Sequence, residues 1–177
     1  MDLNKLAKLC MFMISLLLVI SISSAVDYSY GSIGPDYAQR IQDVSGNVVV
    51  VTSEMKFDDS NYATVDDEEE IQGRWEHNIP SDAQVNEVTV YAKGRETTPE
   101  IELNVQLWSE STQQSLTGYK SLVSDWQVLV FQSSSLRQEV QDRISLGEDI
   151  EIELDFEDED YSGQGGDNTM ADIEYFQ

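Results

Sequence analysis

Between Ile150 and Glu157 apolar and acidic residues alternate without a break, with Ile150, Ile152, Leu154 and Phe156 at one parity and Glu151, Glu153, Asp155 and Glu157 at the other. That is the period of a β-strand with one face in a core and one face in water. The stretch Ile101, Leu103, Val105 and Leu107 repeats the pattern, with Glu102, Asn104, Gln106 and Trp108 on the opposite face. Further strands are expected at Tyr62 to Val65, from Ile71 through Trp75 to His77, at Val85 to Ala92, at Trp126 to Phe131 and at Thr169 to Phe176. Pro80 argues against continuing the second of these. Four consecutive valines, Val48 to Val51, predict a strand buried on both faces, or a sticky edge if they are exposed. Ser135-Leu-Arg-Gln138 fits a capping box, and Leu136, Val140 and Ile144 recur at four-residue spacing, so a short helix is expected over Leu136 to Arg143. Val26 to Ser45, rich in Tyr, Gly and Asp, reads as an irregular lead-in or an extended arm. The sum is an all-β chain, an antiparallel β-sandwich of the jelly-roll kind with one short helix.

The N-terminus follows a different pattern. Lys5 and Lys8 precede an apolar run from Leu9 to Ile20, and Ser23-Ser24-Ala25 ends it with the small residues that a signal peptidase reads. Residues 1–25 are therefore expected to be a secretory signal peptide, with retention as an uncleaved membrane anchor as the alternative. Residues 26–56 would then be an N-terminal arm and first strand, and residues 57–177 the β-sandwich domain. Cys10, the one cysteine, lies in the leader, so the mature chain is expected to hold no disulfide.

Charge narrows the partners. The chain has 34 acidic and 10 basic residues, a net charge of −24. Losing the leader removes Lys5, Lys8 and Asp2, which leaves the balance more negative still. Nucleic acid is not expected as a partner, because binding its backbone needs clusters of Lys and Arg. An anionic membrane surface is disfavoured for the same reason. Three readings of the acidity stay open: a saline habitat, cation binding, or repulsion that keeps an exported protein soluble.

The segment FDDSNYATVDDEEEIQGRWEHNIPSDAQVNEVTVYAKGR, from Phe57 to Arg95, resembles the opening of non-catalytic jelly-roll modules of extracellular and phage structural proteins. The helix-then-strand SSSLRQEVQDRISLGEDIEIEL, from Ser133 to Leu154, is similar to an element of the DNRLRE-type surface modules, and ADIEYF looks like their closing strand. What the resemblance implies is a fold and a setting, a β-sandwich at a cell or particle surface. Carbohydrate binding and structural display are the jobs it implies.

Two candidate sites follow from the residues. Trp108, Gln106 and Asn104 share the outward parity of one strand, and an aromatic face beside amides suits a sugar ring and its hydroxyls. Trp75 and Trp126 read instead as core residues or covers of a sandwich end. Asp158, Asp160 and Ser162 stand at alternate positions before Gly163, as in the first part of a calcium loop, and Asp155, Asp167 and Asn168 could complete the shell around a structural Ca2+. A solvated acidic hairpin tip explains the same residues. His77 is the one histidine and reads as a packing residue, and no catalytic constellation emerges, so the chain is not expected to be an enzyme. The function expected is a secreted, non-catalytic module that binds polysaccharide or surface glycan at the cell exterior. The alternative is a self-assembling homo-oligomeric subunit of a surface layer or filament, in which the N-terminal arm completes a neighbour's sheet.

Overall fold

The computed structural model describes residues 34–42, 48–52, 55, 61–66, 69–97, 103–158 and 170–177, all within the unit Gly31–Gln177. The calcium-loop residues Asp160, Ser162, Asp167 and Asn168, and the whole signal segment, lie outside the described residues. Among the described residues eleven strands and one helix are assigned. In chain order they are β1 (Tyr37–Gln42), β2 (Val48–Val50), β3 (Ala63–Asp66), β4 (Glu69–Trp75), β5 (Val90–Glu96), β6 (Leu103–Ser109), β7 (Gln114–Ser115), β8 (Lys120–Ser121), β9 (Gln127–Phe131), α1 (Ser134–Leu146), β10 (Ile150–Asp158) and β11 (Met170–Phe176).

The strands make two antiparallel sheets, and the architecture is a β-sandwich. The 7-stranded sheet runs β2-β1-β4-β10-β6-β7, with β8 also pairing β6, and the 4-stranded sheet runs β3-β11-β5-β9. Alternation explains the packing. On the large sheet Ile71, Ile152, Leu154, Phe156, Leu103, Val105 and Leu107 all point inward and are buried. Ala63, Val65, Val90, Ala92, Leu129, Phe131, Ala171 and Ile173 do the same from the small sheet. Helix α1 adds Leu136, Val140 and Ile144 to this core, the four-residue stripe read from the sequence.

Several elements differ from expectation, each for a local reason. The helix starts one turn-fraction earlier: Ser133, not Ser135, is its N-cap, accepting from Leu136 N and donating to the Leu116 carbonyl. It also runs past Arg143 to Leu146, where Gly147 at φ 71° closes it in the left-handed conformation. Residues 85–89 do not form the expected start of β5, because the backbone at Ala83 and Val85 bonds to the helix instead. Gln141 Oε1 accepts from Val85 N at 2.8 Å and Gln141 Nε2 donates to the Ala83 carbonyl at 3.0 Å. Tyr37–Gln42, inside the stretch read as a lead-in, is a strand that pairs with Glu69 to Arg74 of β4.

The valine run is the largest departure. Val48, Val49 and Val50 are 53%, 43% and 58% exposed, so they are not buried on both faces; β2 ends the sheet, and only Val51 turns into the core. Among the described residues β2 pairs with β1 alone, at the end of the sheet. Trp126, expected in the core or over a sandwich end, is 37% exposed beside the outer face of the small sheet, whereas Trp75 is buried.

Close approach of the chain fixes one glycine. Gly94 sits opposite Ile173 in the β5–β11 ladder, and a Cβ there would lie 2.6 Å from Ile173 Cδ1, 3.2 Å from the Asp172 carbonyl and 3.4 Å from Leu122 Cδ2. Ile173 is itself buried and has little room to give. Gly94→Val is expected to cost about 2–3 kcal/mol through overpacking. Urea unfolding would read this as a lower midpoint at unchanged slope, and an unchanged midpoint would count against the packing described.

Candidate functional site

The outward positions of β10 form the spine of the candidate site. Because Ile152, Leu154 and Phe156 go inward, Glu151, Glu153, Asp155 and Glu157 must all go outward. Strand β10 is paired on both sides, so register decides what each acid meets. On the β4 side Glu151 faces Arg74, Glu153 faces Gln72 and Asp155 faces Glu70. On the β6 side Glu153 faces Trp108, Asp155 faces Gln106 and Glu157 faces Asn104. Beyond these, Gln39 of β1 lies opposite Gln72, and Ser115 of β7 opposite Trp108.

Side-chain amides bond the acids in the middle of this face. Gln39 Nε2 donates to Gln72 Oε1 at 2.6 Å, and Gln72 Nε2 donates to Glu153 Oε1 at 2.7 Å. Gln106 Nε2 donates to Asp155 Oδ2 at 2.7 Å and to the Tyr119 hydroxyl at 2.8 Å, while its Oε1 accepts from Ser115 Oγ at 2.6 Å. Asn104 Oδ1 accepts from Ser121 Oγ at 2.9 Å. Two of the described cations stand at one end. Arg74 lies 5.4 Å from the Tyr37 ring and 3.7 Å from Asp149, and Arg143 of α1 reaches Glu151 at 3.5 Å.

Glu153 is the exceptional member. It is only 2% exposed although it belongs to the outer face, and its Oε2 has no hydrogen-bond partner among the described residues. Burial, then the charge of Glu70, with smaller effects of Glu110 and Asp155, pushes its carboxyl from 4.5 up to about 7 against the opposing hydrogen bond from Gln72. The Tyr119 hydroxyl is held protonated above its usual range by burial of its oxygen, then by its hydrogen bond to Glu157 and the charges of Glu157 and Asp155. Tyr119 as a residue is nonetheless 48% exposed.

Trp108, Gln106 and Asn104, named from the sequence, fall on this face at half-buried, buried and half-buried positions. Asp155 lies in the same face bonded to Gln106, and Asp158 ends β10 with its side chain outside the described residues. His77 lies past the end of β4, with Nε2 2.7 Å from the Glu148 carbonyl. Sequence reading missed Gln39, Gln72, Glu153, Ser115 and Tyr119 as members of one site. The alternation of Glu70, Gln72 and Arg74 was the available signal, but only the strand order places it beside β10. A separate shallow depression of about 520 Å³ lies between residues 81–86 and α1; it is lined by Arg137, Gln138 and Gln141 and shares no residue with this face.

The raised carboxyl has a definite sign for stability. Between about pH 4.5 and 7 the folded state keeps a proton that the unfolded state has lost, so stability falls as pH rises through this window and then levels. Glu153→Gln keeps the acceptor for Gln72 and removes the titration. The variant is expected to match the wild type near pH 4 and to exceed it by up to about 3 kcal/mol at pH 8. Chemical unfolding across this range checks it, and a difference that does not vary with pH would refute the assignment.

The sequence matches no protein-family model and no curated relative. Among solved structures it is similar to a CBM4 carbohydrate-binding module, at 14% identity and a TM-score of 0.40, over 67% of this chain and 70% of that one. It is also similar to the CBM22-1 xylan-binding domain from Paenibacillus barcinonensis, at 8% identity and a TM-score of 0.32, over 83% of this chain and 96% of that one. Similarity at this level concerns the fold alone.

Proposed function

We propose that this chain is an exported, non-catalytic binding module whose large-sheet outer face takes a polysaccharide or surface glycan. The observation that carries the reading is the composition of that face. A half-buried indole, Trp108, stands across from Glu153 inside a layer of amides, hydroxyls and carboxylates contributed by β1, β4, β6, β7 and β10. An apolar ring face with convergent polar groups around it is the chemistry that a pyranose and its hydroxyls require. Export is supported by the leader-like residues 1–25. Among the described residues no helix is long and apolar enough to cross a membrane.

The test is co-sedimentation of the mature chain with insoluble polysaccharides, run in calcium and in chelator at matched ionic strength. Trp108→Ala is expected to weaken retention by about tenfold, the loss of roughly 1.4 kcal/mol. Trp126→Ala, on the other side of the sandwich, should leave retention unchanged. Retention that follows Trp126 and ignores Trp108 would move the site to the small sheet.

The exposed β2 favours a second reading, assembly through the sheet edge. A terminal strand of exposed valines is a template for pairing with another chain. In that case sedimentation velocity should show concentration-dependent oligomers, and Val49→Lys should return the chain to monomer. A monomer at all concentrations would end this reading.

A further inference from the structure

Two of the described strands end a sheet, carry no charged residue and present valines to solvent. One is β2, whose valines are exposed at both parities. The other is β9, at the end of the small sheet, where Val128 and Val130 are 48% and 43% exposed while Leu129 and Phe131 point inward and are buried. Among the described residues the backbone of β9 pairs with β5 alone, so alternate residues turn their N–H and C=O groups to an open edge. Sheet ends are ordinarily guarded by charge or by shortness. At the other two ends β3 carries Asp66 and β7 is two residues long. The two uncharged edges lie on opposite flanks of the sandwich. Strand β3, at the far end of the small sheet from β9, leads into β4 with Asp66 N donating to Glu69 Oε2 at 3.3 Å, and so lies on the β2 side. Strand β9 lies on the β7 side, where Gln127 Nε2 donates to the Ser121 carbonyl at 3.1 Å and Lys120 Nζ stands 5.7 Å from the Phe131 ring. Just past β9, Ser133 donates to the Leu116 carbonyl.

Resting on the reading of β2 as an assembly edge, we propose that its occupant is β9 of a second copy, so that the large sheet of one molecule continues into the small sheet of the next. Pairing β2 with another β2 would leave both valine faces of the joint in water, because each strand is uncovered at both parities. Beside β9 an added strand has one face toward residues 116–121, which already approach Gln127 and Phe131, and the other beside Val128 and Val130. Both strands are uncharged, so a chain of net charge −24 can pair there without setting like charges directly opposite each other. Donor and acceptor are different surfaces on opposite flanks. The contact is therefore heterologous, and it propagates past a dimer into a filament or a closed ring.

Sedimentation velocity on the mature chain tests this with two kinds of variant. Val49→Lys disables the donor strand and leaves β9 intact, whereas Val130→Lys disables the acceptor edge and leaves β2 intact. Val128→Glu is a second acceptor variant, with its carboxylate opposite Lys93 in the β5–β9 register. The wild type is expected to form species beyond a dimer as its concentration rises. Each variant alone should stay monomeric. An equimolar mixture of Val49→Lys with either acceptor variant should form a heterodimer, at least about tenfold tighter than the self-association of either. Slower amide exchange at residues 127–131 of the Val49→Lys copy on mixing should locate the contact. Self-association that survives both acceptor variants but is lost on Val49→Lys would overturn the β9 assignment and leave the β2 edge standing. So would monomeric variants that fail to complement each other. A dimer that survives Val49→Lys and is lost on the acceptor variants, or a monomer at every concentration, would overturn both.

Discussion

Strand β10 is hydrogen-bonded on both sides, so each of its outward carboxylates has a fixed neighbour to left and right, and the rest of the large sheet depends on how those neighbours answer it. Four acids in one outward row repel one another at spacings of about 7 Å. The fold meets this with side-chain amides. Gln72 and Gln106, from the two flanking strands, each turn their NH2 group toward a carboxylate and their carbonyl oxygen toward a further donor, Gln39 or Ser115. An amide can do this because it is donor and acceptor at once. Glu153 and Asp155 are thereby tied into a layer of amides and hydroxyls.

The small sheet solves the same problem by charge. On its outer side Asp172 accepts two hydrogen bonds from Arg95, at 3.1 and 2.8 Å, and a third from Thr64 at 2.8 Å. A register shift between Ile173 and Tyr175 leaves Glu174 beside Lys93, 2.7 Å away. Arg95 and Lys93 then lie 4.8 and 5.7 Å from the Trp126 ring. Every charge in that network meets its opposite, and the face is closed electrostatically. On the large sheet the amides of Gln72 and Gln106 do this work, and Glu153 Oε2 is left without a hydrogen-bond partner among the described residues.

The inward half of the sandwich was legible in the residues, because burial of alternate positions is a local property of one strand. Ile152, Leu154 and Phe156 of β10, Leu103, Val105 and Leu107 of β6 and the stripe Leu136, Val140 and Ile144 appear in the core at the expected parity, while Ile101 lies outside the described residues. Where reading failed, the deciding interaction came from elsewhere in the chain. Val85 lost its place in a strand to Gln141, far along the sequence. Val48 to Val50 read as core because valine is apolar, but they lie where the sheet ends. The outward half was legible only in part. Trp108, Gln106 and Asn104 share a strand and could be named together, whereas the burial of Glu153 depends on the order and register of β4, β10 and β6 at once, which no single stretch encodes.

A buried carboxyl with an unanswered oxygen is a cost to folding that an apolar residue or a glutamine would avoid. Its position matters more than its size. It lies beneath the outer face, beside an indole and at the point where two further acids oppose each other, and not in the core between the sheets. Strain placed there is carried by the unliganded protein, so a ligand that relieves it gains affinity without having to organise the acids itself. Gln39, Gln72 and Gln106 are each fixed by hydrogen bonds, so among the described residues Glu153 Oε2 and Arg74 Nε are the buried side-chain atoms of this face that find no hydrogen-bond partner.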